Sequence, residues 1–445
     1  MDAKLFTTDL RAGLYWYEST PRIKPTDPTC RLSVYPSVRR QLFEGFGGAF
    51  TEASAFCWHQ LSSDQQERFL DACFGEDGLR YTLGRTHMGS CDFSLGHYDC
   101  LPDSSDLTLK SFCTDRDDRY LIPMILAAQK AAGKPIRLML SPWSPPSFMK
   151  TNGDRDHGGT LKAEYRQLWA DCMAKYVLHY RSRGCDVRLI SVQNEPDAVQ
   201  TWDSCIFSGE EEGRFAVDYL APALETAGCG DVKILAWDHN KELLFRRARE
   251  TLSVPGAQET IAGFAVHWYT GDHFDALRYV GETWPDKELW FTEGCVEYHR
   301  FGERDAVQKA EMYAHDILGN LSAGICGSID WNLLLDAEGG PNHVRNFCEA
   351  PIMMTKDGAG FTLMGEYYYI GQFSRFILPG AIRLGSSVWN AGLESVVFEN
   401  SGGERVAVLL NRSEESLPVC VSEDAVSGLS FEVAAHSIAT LCWRP

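Results

Sequence analysis

The chain has 445 residues, enough for one large domain and a smaller companion, and its 44% hydrophobic and 23% charged residues exclude a disordered or fibrous protein. A formal net charge of −19 sets the surface against nucleic-acid phosphates and anionic lipid headgroups, so neither nucleic acid nor a membrane is an expected partner. No run of about 18 apolar residues is present, and the first residues lack the basic start and apolar core of a signal peptide, so a cytoplasmic location is expected.

Taken in chain order, residues 1–42 alternate apolar and polar positions, as in Leu14-Tyr15-Trp16-Tyr17 and Arg31-Leu32-Ser33-Val34-Tyr35, and read as strands. From residue 43 the pattern changes to short apolar runs alternating with stretches of helical spacing. The strand runs are 43–50, 79–88, 136–143, 187–195, 232–238, 261–269, 288–293 and 327–332. Helical spacing covers 51–74, 118–132, 161–182, 210–227, 241–252, 275–280, 305–321 and 366–376, the last stopping before Pro379-Gly380. Eight βα units in series predict an α/β fold, a (β/α)8 TIM barrel over 43–378. Beyond it, 393–398, 405–410, 417–421, 429–433 and 437–443 alternate again, with Asn400-Ser401-Gly402-Gly403 as a hairpin turn. Residues 1–42 and 379–445 are expected to join in one antiparallel side β-sandwich formed from both chain termini.

The 15 cysteines are odd in number and never spaced C-x-x-C, which predicts free thiols and no zinc site. The N-x-[ST] matches at Asn320 and Asn411 are then accidental. Gly45-Phe46-Gly47-Gly48 is not a dinucleotide fingerprint, because Phe50 replaces the third glycine. No P-loop, H-E-x-x-H or G-x-S-x-G occurs, and the histidines do not cluster at ligand spacing, so no cofactor and no catalytic metal are expected.

Barrel enzymes place their chemistry where strands end. The fourth strand runs into Gln193-Asn194-Glu195-Pro196 and the seventh into Phe291-Thr292-Glu293-Gly294, putting two carboxylates on one rim. Cleaving a glycosidic bond needs two such groups, one protonating the leaving oxygen and one attacking the anomeric carbon at a spacing of roughly 5 Å for retention. Glu195 is assigned as acid/base and Glu293 as nucleophile. Asn194 can bond a sugar 2-hydroxyl. Arg85, ending the second strand, can hold a catalytic carboxylate ionised through a bidentate pair. Asp92 can accept from sugar hydroxyls. Trp143 and Trp331, at the ends of the third and eighth strands, offer aromatic faces to a pyranose. Tyr269 can orient the nucleophile, and His267 beside it is either a supporting group or a satisfied core histidine.

The segments GFGGAF (45–50), SCDFS (90–94), SPW (141–143), KTNG (150–153), NEP (194–196), AVHWY (265–269), TEGC (292–295), DWN (330–332), EGGPN (338–342) and LNRS (410–413) together resemble glycoside hydrolase family 30, in its glucosylceramidase-like branch. The resemblance runs in order along nearly the whole chain. It implies a barrel with a fused β-sandwich, retention of configuration, and glycone contacts from Asp92, Trp143, Asn194, Trp331 and Asn346. His343 stands where the lysosomal members carry Trp, and residues 237–240 differ from their strand-five loop. With the acidic surface, this predicts an exo-acting enzyme on a soluble β-glucoside or β-xyloside rather than on a membrane glycolipid. The alternatives are an endo-acting β-1,6-glucanase or xylanase, a glucosylceramidase of the same family, and, in another class, a carbohydrate-binding protein on an inactive barrel.

Overall fold

The computed structural model describes residues 3–25, 31–389, 392–423 and 427–445. Eight parallel strands, Gly45–Phe50, Leu83–Met88, Arg137–Pro142, Asp186–Ser191, Lys233–Asn240, Ile261–His267, Glu288–Glu293 and Gly327–Asn332, close into a barrel in chain order. Each lies within, or overlaps, one predicted strand run. The glycines of the first strand are there for packing: a Cβ on Gly47 would lie 2.1 Å from the backbone oxygen of Leu83 on the second. Side chains alternate between faces along a strand. The lower inward layer is apolar, with Leu83, Met139, Leu189, Leu235, Ala265, Trp290 and Ile329 buried together. Two residues further on, the inward positions become Arg85, Ser141, His267, Thr292 and Trp331. The barrel floor is thus hydrophobic and its mouth polar, built from the same strands.

The outward faces carry helices, and three departures from the predicted elements have local causes. The helix expected over 51–74 is two, Glu52–Gln60 and Ser63–Phe74, because Leu61 and Ser62 are extended and the Ser62 hydroxyl caps Gln65 N–H. The helices expected over 118–132 and 210–227 each contain a widened turn, Asp117–Leu121 and Ala216–Leu220, just before Pro123 and Pro222. A proline lacks the N–H its turn requires and clashes with the carbonyl four residues back, so the helix loosens there. The fourth strand ends at Ser191, so Glu195 stands on the following loop rather than on the strand.

Strands from both chain ends form one ten-stranded sheet, in the order Leu14–Ser19, Ala3–Asp9, Ser437–Trp443, Arg405–Asn411, Leu393–Glu399, Ile382–Val388, Arg31–Leu42, Leu417–Ser422, Ser427–Val433 and Arg22–Pro25. Ala3–Asp9, Arg22–Pro25 and Ile382–Val388 were not anticipated as separate strands. The pairing of Arg31–Leu42 with Leu417–Ser422 is parallel, an exception to the expected antiparallel order. The register slips between Ile382–Val388 and Arg31–Leu42. The sheet encloses Leu5, Leu32, Val397, Leu409, Val419, Leu429 and Leu441 as a sandwich core. The alternate residues Val396, Phe398, Val406, Val408, Leu410 and Ile438 belong to the barrel's core. Two of the strands are therefore buried on both faces. The 14 described cysteines are free, and Asn320 and Asn411 are buried, which agrees with the readings of both.

Candidate active site

Arg85 is fully buried at the centre of the mouth, and its guanidinium is spread over four partners. Nη1 donates to Glu293 Oε2 at 2.6 Å, Nη2 to Asn194 Oδ1 at 2.7 Å and Asp238 Oδ2 at 2.9 Å, and Nε to Ser141 Oγ at 3.1 Å. The bidentate pair expected from the sequence is replaced by a fork that ties four strands' ends together. Because Arg85 occupies the amide oxygen of Asn194, the amide nitrogen is the group left to donate into the pocket.

Glu293 receives a second bond from Tyr269, whose hydroxyl donates to Oε1 at 3.0 Å. Burial pushes the Tyr269 phenol well above its usual range, so it remains a donor. Glu195 faces it from the loop after the fourth strand. Its backbone is left-handed at φ 46°, and its N–H donates to the Asp238 carbonyl at 3.0 Å, which turns the side chain inward. Glu195 Oε1 lies 3.1 Å from His267 Nδ1 and 3.5 Å from His239 Nδ1, and Oε2 lies 3.5 Å from Gln200 Nε2. Burial alone would raise the Glu195 carboxyl, but His239 and His267 outweigh it and hold it below the usual carboxylate range.

His267 is a working member of the cluster rather than an isolated core histidine. Its Nε2 pairs with Asp238 Oδ1 at 3.1 Å, and its Nδ1 sits 3.9 Å from Glu293 Oε1 as well as against Glu195. Burial would lower its pKa, yet Glu293, Asp238 and Glu195 push it up to about 9. Asp238 is the hub that the sequence reading missed. It is wholly buried, accepts from Arg85, Ser141, His267 and Thr292, and is held low by the Arg85 and His267 charges against the effect of burial.

Trp143 and Trp331 stack at 5.4 Å and 24°, with the Arg85 guanidinium 4.8 Å and 5.4 Å from their rings. Both are almost wholly buried and form the pocket floor. Asp92 and Asn346 meet, Asn346 Nδ2 donating to Asp92 Oδ2 at 3.0 Å, and join the loops after the second and eighth strands. Burial and the neighbouring Glu293 charge push Asp92 up to about 8. A cavity of about 130 Å³ is lined by Asp92, Trp143, Asn194, Glu195, Tyr269, Glu293, Trp331 and Asn346. Arg85 and His267 lie beneath it. All ten residues singled out in the sequence are thus gathered in one place. His239 and Asn240, from the strand-five loop singled out in the sequence, also line it, as do Gln200, Trp202 and Glu297, which were not anticipated. A larger cleft runs between the helix Ala306–Ala323 and Arg412 of the sandwich. Its carboxylates Asp272, Glu311 and Asp316 are tied to His315, His436 and Lys241, leaving no facing pair for bond cleavage.

A closed parallel barrel with two carboxylates facing across its C-terminal mouth, over a tryptophan floor, defines a glycoside hydrolase. The family model for the glycosyl hydrolase family 30 TIM-barrel domain matches residues 43–377, and that for the family's beta sandwich domain matches 380–441. The chain belongs to glycosyl hydrolase family 30. It is 34% identical over 432 residues to the lysosomal acid glucosylceramidase of Mus musculus, covering 93% of this chain and 83% of that protein. An endo-1,6-beta-D-glucanase of Aspergillus fumigatus is 27% identical over 429 residues, 91% of this chain and 85% of that one. The crystal structure of SrfJ from Salmonella typhimurium matches with a TM-score of 0.96 at 39% identity over 100% of both chains.

Proposed function

We propose that the protein is a retaining, exo-acting β-glycosidase that hydrolyses a soluble β-glucoside or β-xyloside by double displacement. The observation that carries this reading is the shared contact of both carboxylates with His267 Nδ1, 3.1 Å from Glu195 and 3.9 Å from Glu293. Their Oε1 atoms can be no further apart than the sum of those distances. That bound admits the ~5–5.5 Å of retaining enzymes and leaves little of the ~6.5–9.5 Å of inverting ones.

The unequal surroundings support this division of roles. Glu293 is pinned by Arg85 and Tyr269, which suits an attacking group that must keep one orientation. Glu195 shares a proton with His267, so an acid is available beside the leaving oxygen although the carboxyl itself is held low. In the first step Glu293 forms a bond to the anomeric carbon as the glycosidic C–O bond breaks, and the Glu195–His267 pair protonates the departing oxygen. In the second, Glu195 takes a proton from water, which attacks the same carbon and releases Glu293. The Asn194 amide donates to the 2-hydroxyl, a bond that strengthens as charge develops. The Asp92–Asn346 bridge walls the pocket beside Glu293, which suits a single terminal sugar.

Glu293→Gln is expected to abolish turnover. Glu195→Ala is expected to keep slow hydrolysis of an aryl glycoside with a good leaving group, restored by azide. Equal loss on every substrate without rescue counts against these roles. The anomer first released, followed by NMR, tests retention, and a screen of aryl β-glucoside, β-xyloside, β-fucoside and β-galactoside identifies the sugar. The relatives named endo-1,6-beta-D-glucanase and glucosylceramidase support two other readings. Internal cleavage of a β-1,6-glucan, or strong preference for glucosylceramide vesicles, would select one of those. Tight sugar binding without hydrolysis would point to a binding protein.

A further inference from the structure

Beside the sugar pocket three loops meet at a second cluster. His97 lies in the loop after the second barrel strand, Asp203 in that after the fourth, and His343 in that after the eighth. His97 Nδ1 is 3.4 Å from Asp203 Oδ2, and His343 Nε2 is 3.9 Å from the same oxygen. The three atoms all lie within 4.8 Å of one another. A tetrahedral zinc with bonds of about 2.0–2.1 Å spaces nitrogen and oxygen ligands roughly 3.4 Å apart, so small side-chain shifts close the cluster around an ion.

The remaining atom of each group is already engaged. Asp203 Oδ1 accepts from Arg155 Nε at 2.6 Å and from Ser90 Oγ at 2.8 Å. His97 Nε2 faces Asp156 Oδ2 at 3.3 Å, and His343 Nδ1 faces the Ser94 carbonyl at 3.1 Å. Metal-bound histidines have this arrangement: the second ring nitrogen donates to a carboxylate or carbonyl, which leaves the other nitrogen's lone pair aimed at the ion. The converging atoms Asp203 Oδ2 and His343 Nε2 are buried and lack a hydrogen bond of ordinary geometry, Asp203 Oδ2 meeting the His97 and His343 rings only at 3.4 Å and 3.9 Å. Asp203 is 1% exposed, where a carboxylate oxygen so loosely matched is costly.

We propose that His97, Asp203 and His343 form a zinc site, completed by water, that staples the loops framing the sugar pocket. Two imidazoles and one carboxylate suit Zn²⁺ rather than Mg²⁺ or Ca²⁺, which prefer oxygen ligands. The role is one of positioning. Trp202, next to Asp203, lines the pocket, and Asn346, in the His343 loop, holds Asp92. Glu195, His239 and His267 also bring three donor atoms within 4.8 Å, but there both ring nitrogens of His267 form hydrogen bonds of 3.1 Å, to Glu195 and Asp238, closer than the 3.3 Å and 3.4 Å carboxylate contacts of His97.

The test is titration of the chelator-treated full chain with zinc chloride, followed by calorimetry and thermal unfolding. It is read without turnover, so its failure is distinct from failure of the glycosidase reading. One zinc per chain is expected, with a rise of about 3 °C in unfolding temperature at about a hundredfold excess over Kd. Both effects are lost in His97→Ala, which removes a half-exposed side chain, and in His343→Gln. Co²⁺ in place of zinc gives a tetrahedral spectrum without a thiolate charge-transfer band. The proposal is overturned by absence of binding, by binding that survives both variants, or by a thiolate band. It is equally overturned if zinc only competes with substrate and is lost in His239→Ala but not in His97→Ala.

Discussion

Arg85 and Asp238 are buried charges whose charged partners among the described residues are each other, Glu293 and His267, with Ser141, Thr292 and Asn194 adding neutral hydrogen bonds. Replacing one leaves the other desolvated and without that partner, at about 3–5 kcal/mol. Arg85→Met is therefore expected to lower the stability measured by denaturant unfolding by that amount, and to remove activity because Glu293 and Asn194 lose their anchor. Asp92 behaves in the opposite sense. Its carboxyl is pushed up to about 8 in the folded protein, so between the ordinary carboxylate value and that pH the fold must hold a proton that the unfolded chain has released, and this destabilising cost grows as pH rises. Asp92→Asn is expected to raise stability at neutral pH by about 1–3 kcal/mol while raising KM sharply. Thermal unfolding and aryl-glycoside kinetics on the same preparation check both halves.

His267 adds a pH dependence with a definite sign. Its pKa is about 9 in the folded chain against about 6.5 when unfolded, so its stabilising contribution is complete below about pH 6.5 and disappears as pH rises through 9. Glu195 and Asp238, held low, contribute above the usual carboxylate range and lose that contribution only in strong acid. Stability from denaturant unfolding and kcat/KM are both expected to fall on an alkaline limb near pH 9, reporting the coupled cluster rather than one residue. A profile flat through that limb would refute the shared-proton assignment.

At the scale of elements, the inward positions two residues above the apolar floor were legible, because strand periodicity assigns each residue to a face. Arg85, His267 and Trp331 follow from that rule. Asp238 and His239 did not. Trp237 and Asp238 adopt φ of 72° and 43°, and the pairing with Ile261–His267 slips there. This bulge points two successive residues, Ala236 and Trp237, toward the helices and returns Asp238 inward. Counting alternate residues fails across such a bulge. Gly47→Ala tests the closeness of the first two strands. A Cβ 2.1 Å from a backbone oxygen cannot be relieved by a rotamer change, so little folded protein is expected on expression, as read by circular dichroism. At the barrel–sandwich junction Asn400 donates to the Phe376 carbonyl and accepts from Leu378 N–H, and Asn400→Ala is expected to cost about 1–2 kcal/mol in unfolding.

In the whole molecule the sandwich is structural support for the barrel. Its inner leaf gives Val396, Phe398, Val406, Val408, Leu410 and Ile438 to the barrel's core, packed largely against the helices Ala306–Ala323 and Gly365–Ser374. A chain cut to residues 43–378 would expose the helix faces that these residues cover, and is expected to elute in larger aggregates than the full chain on size-exclusion chromatography.

What the sequence by itself determined was local or periodic: eight strand–helix alternations, the closing β pattern, and two glutamates on one rim, Glu293 ending its strand and Glu195 on the loop just beyond its own, each carried by neighbouring residues. What only the tertiary structure decided depends on closing the barrel. Arg85 distributes its donors over four strand ends, Asp238 gathers four donors, and His97, Asp203 and His343 converge from loops far apart in the chain. Those contacts are set by the distance across a closed mouth, and linear spacing carries no record of it.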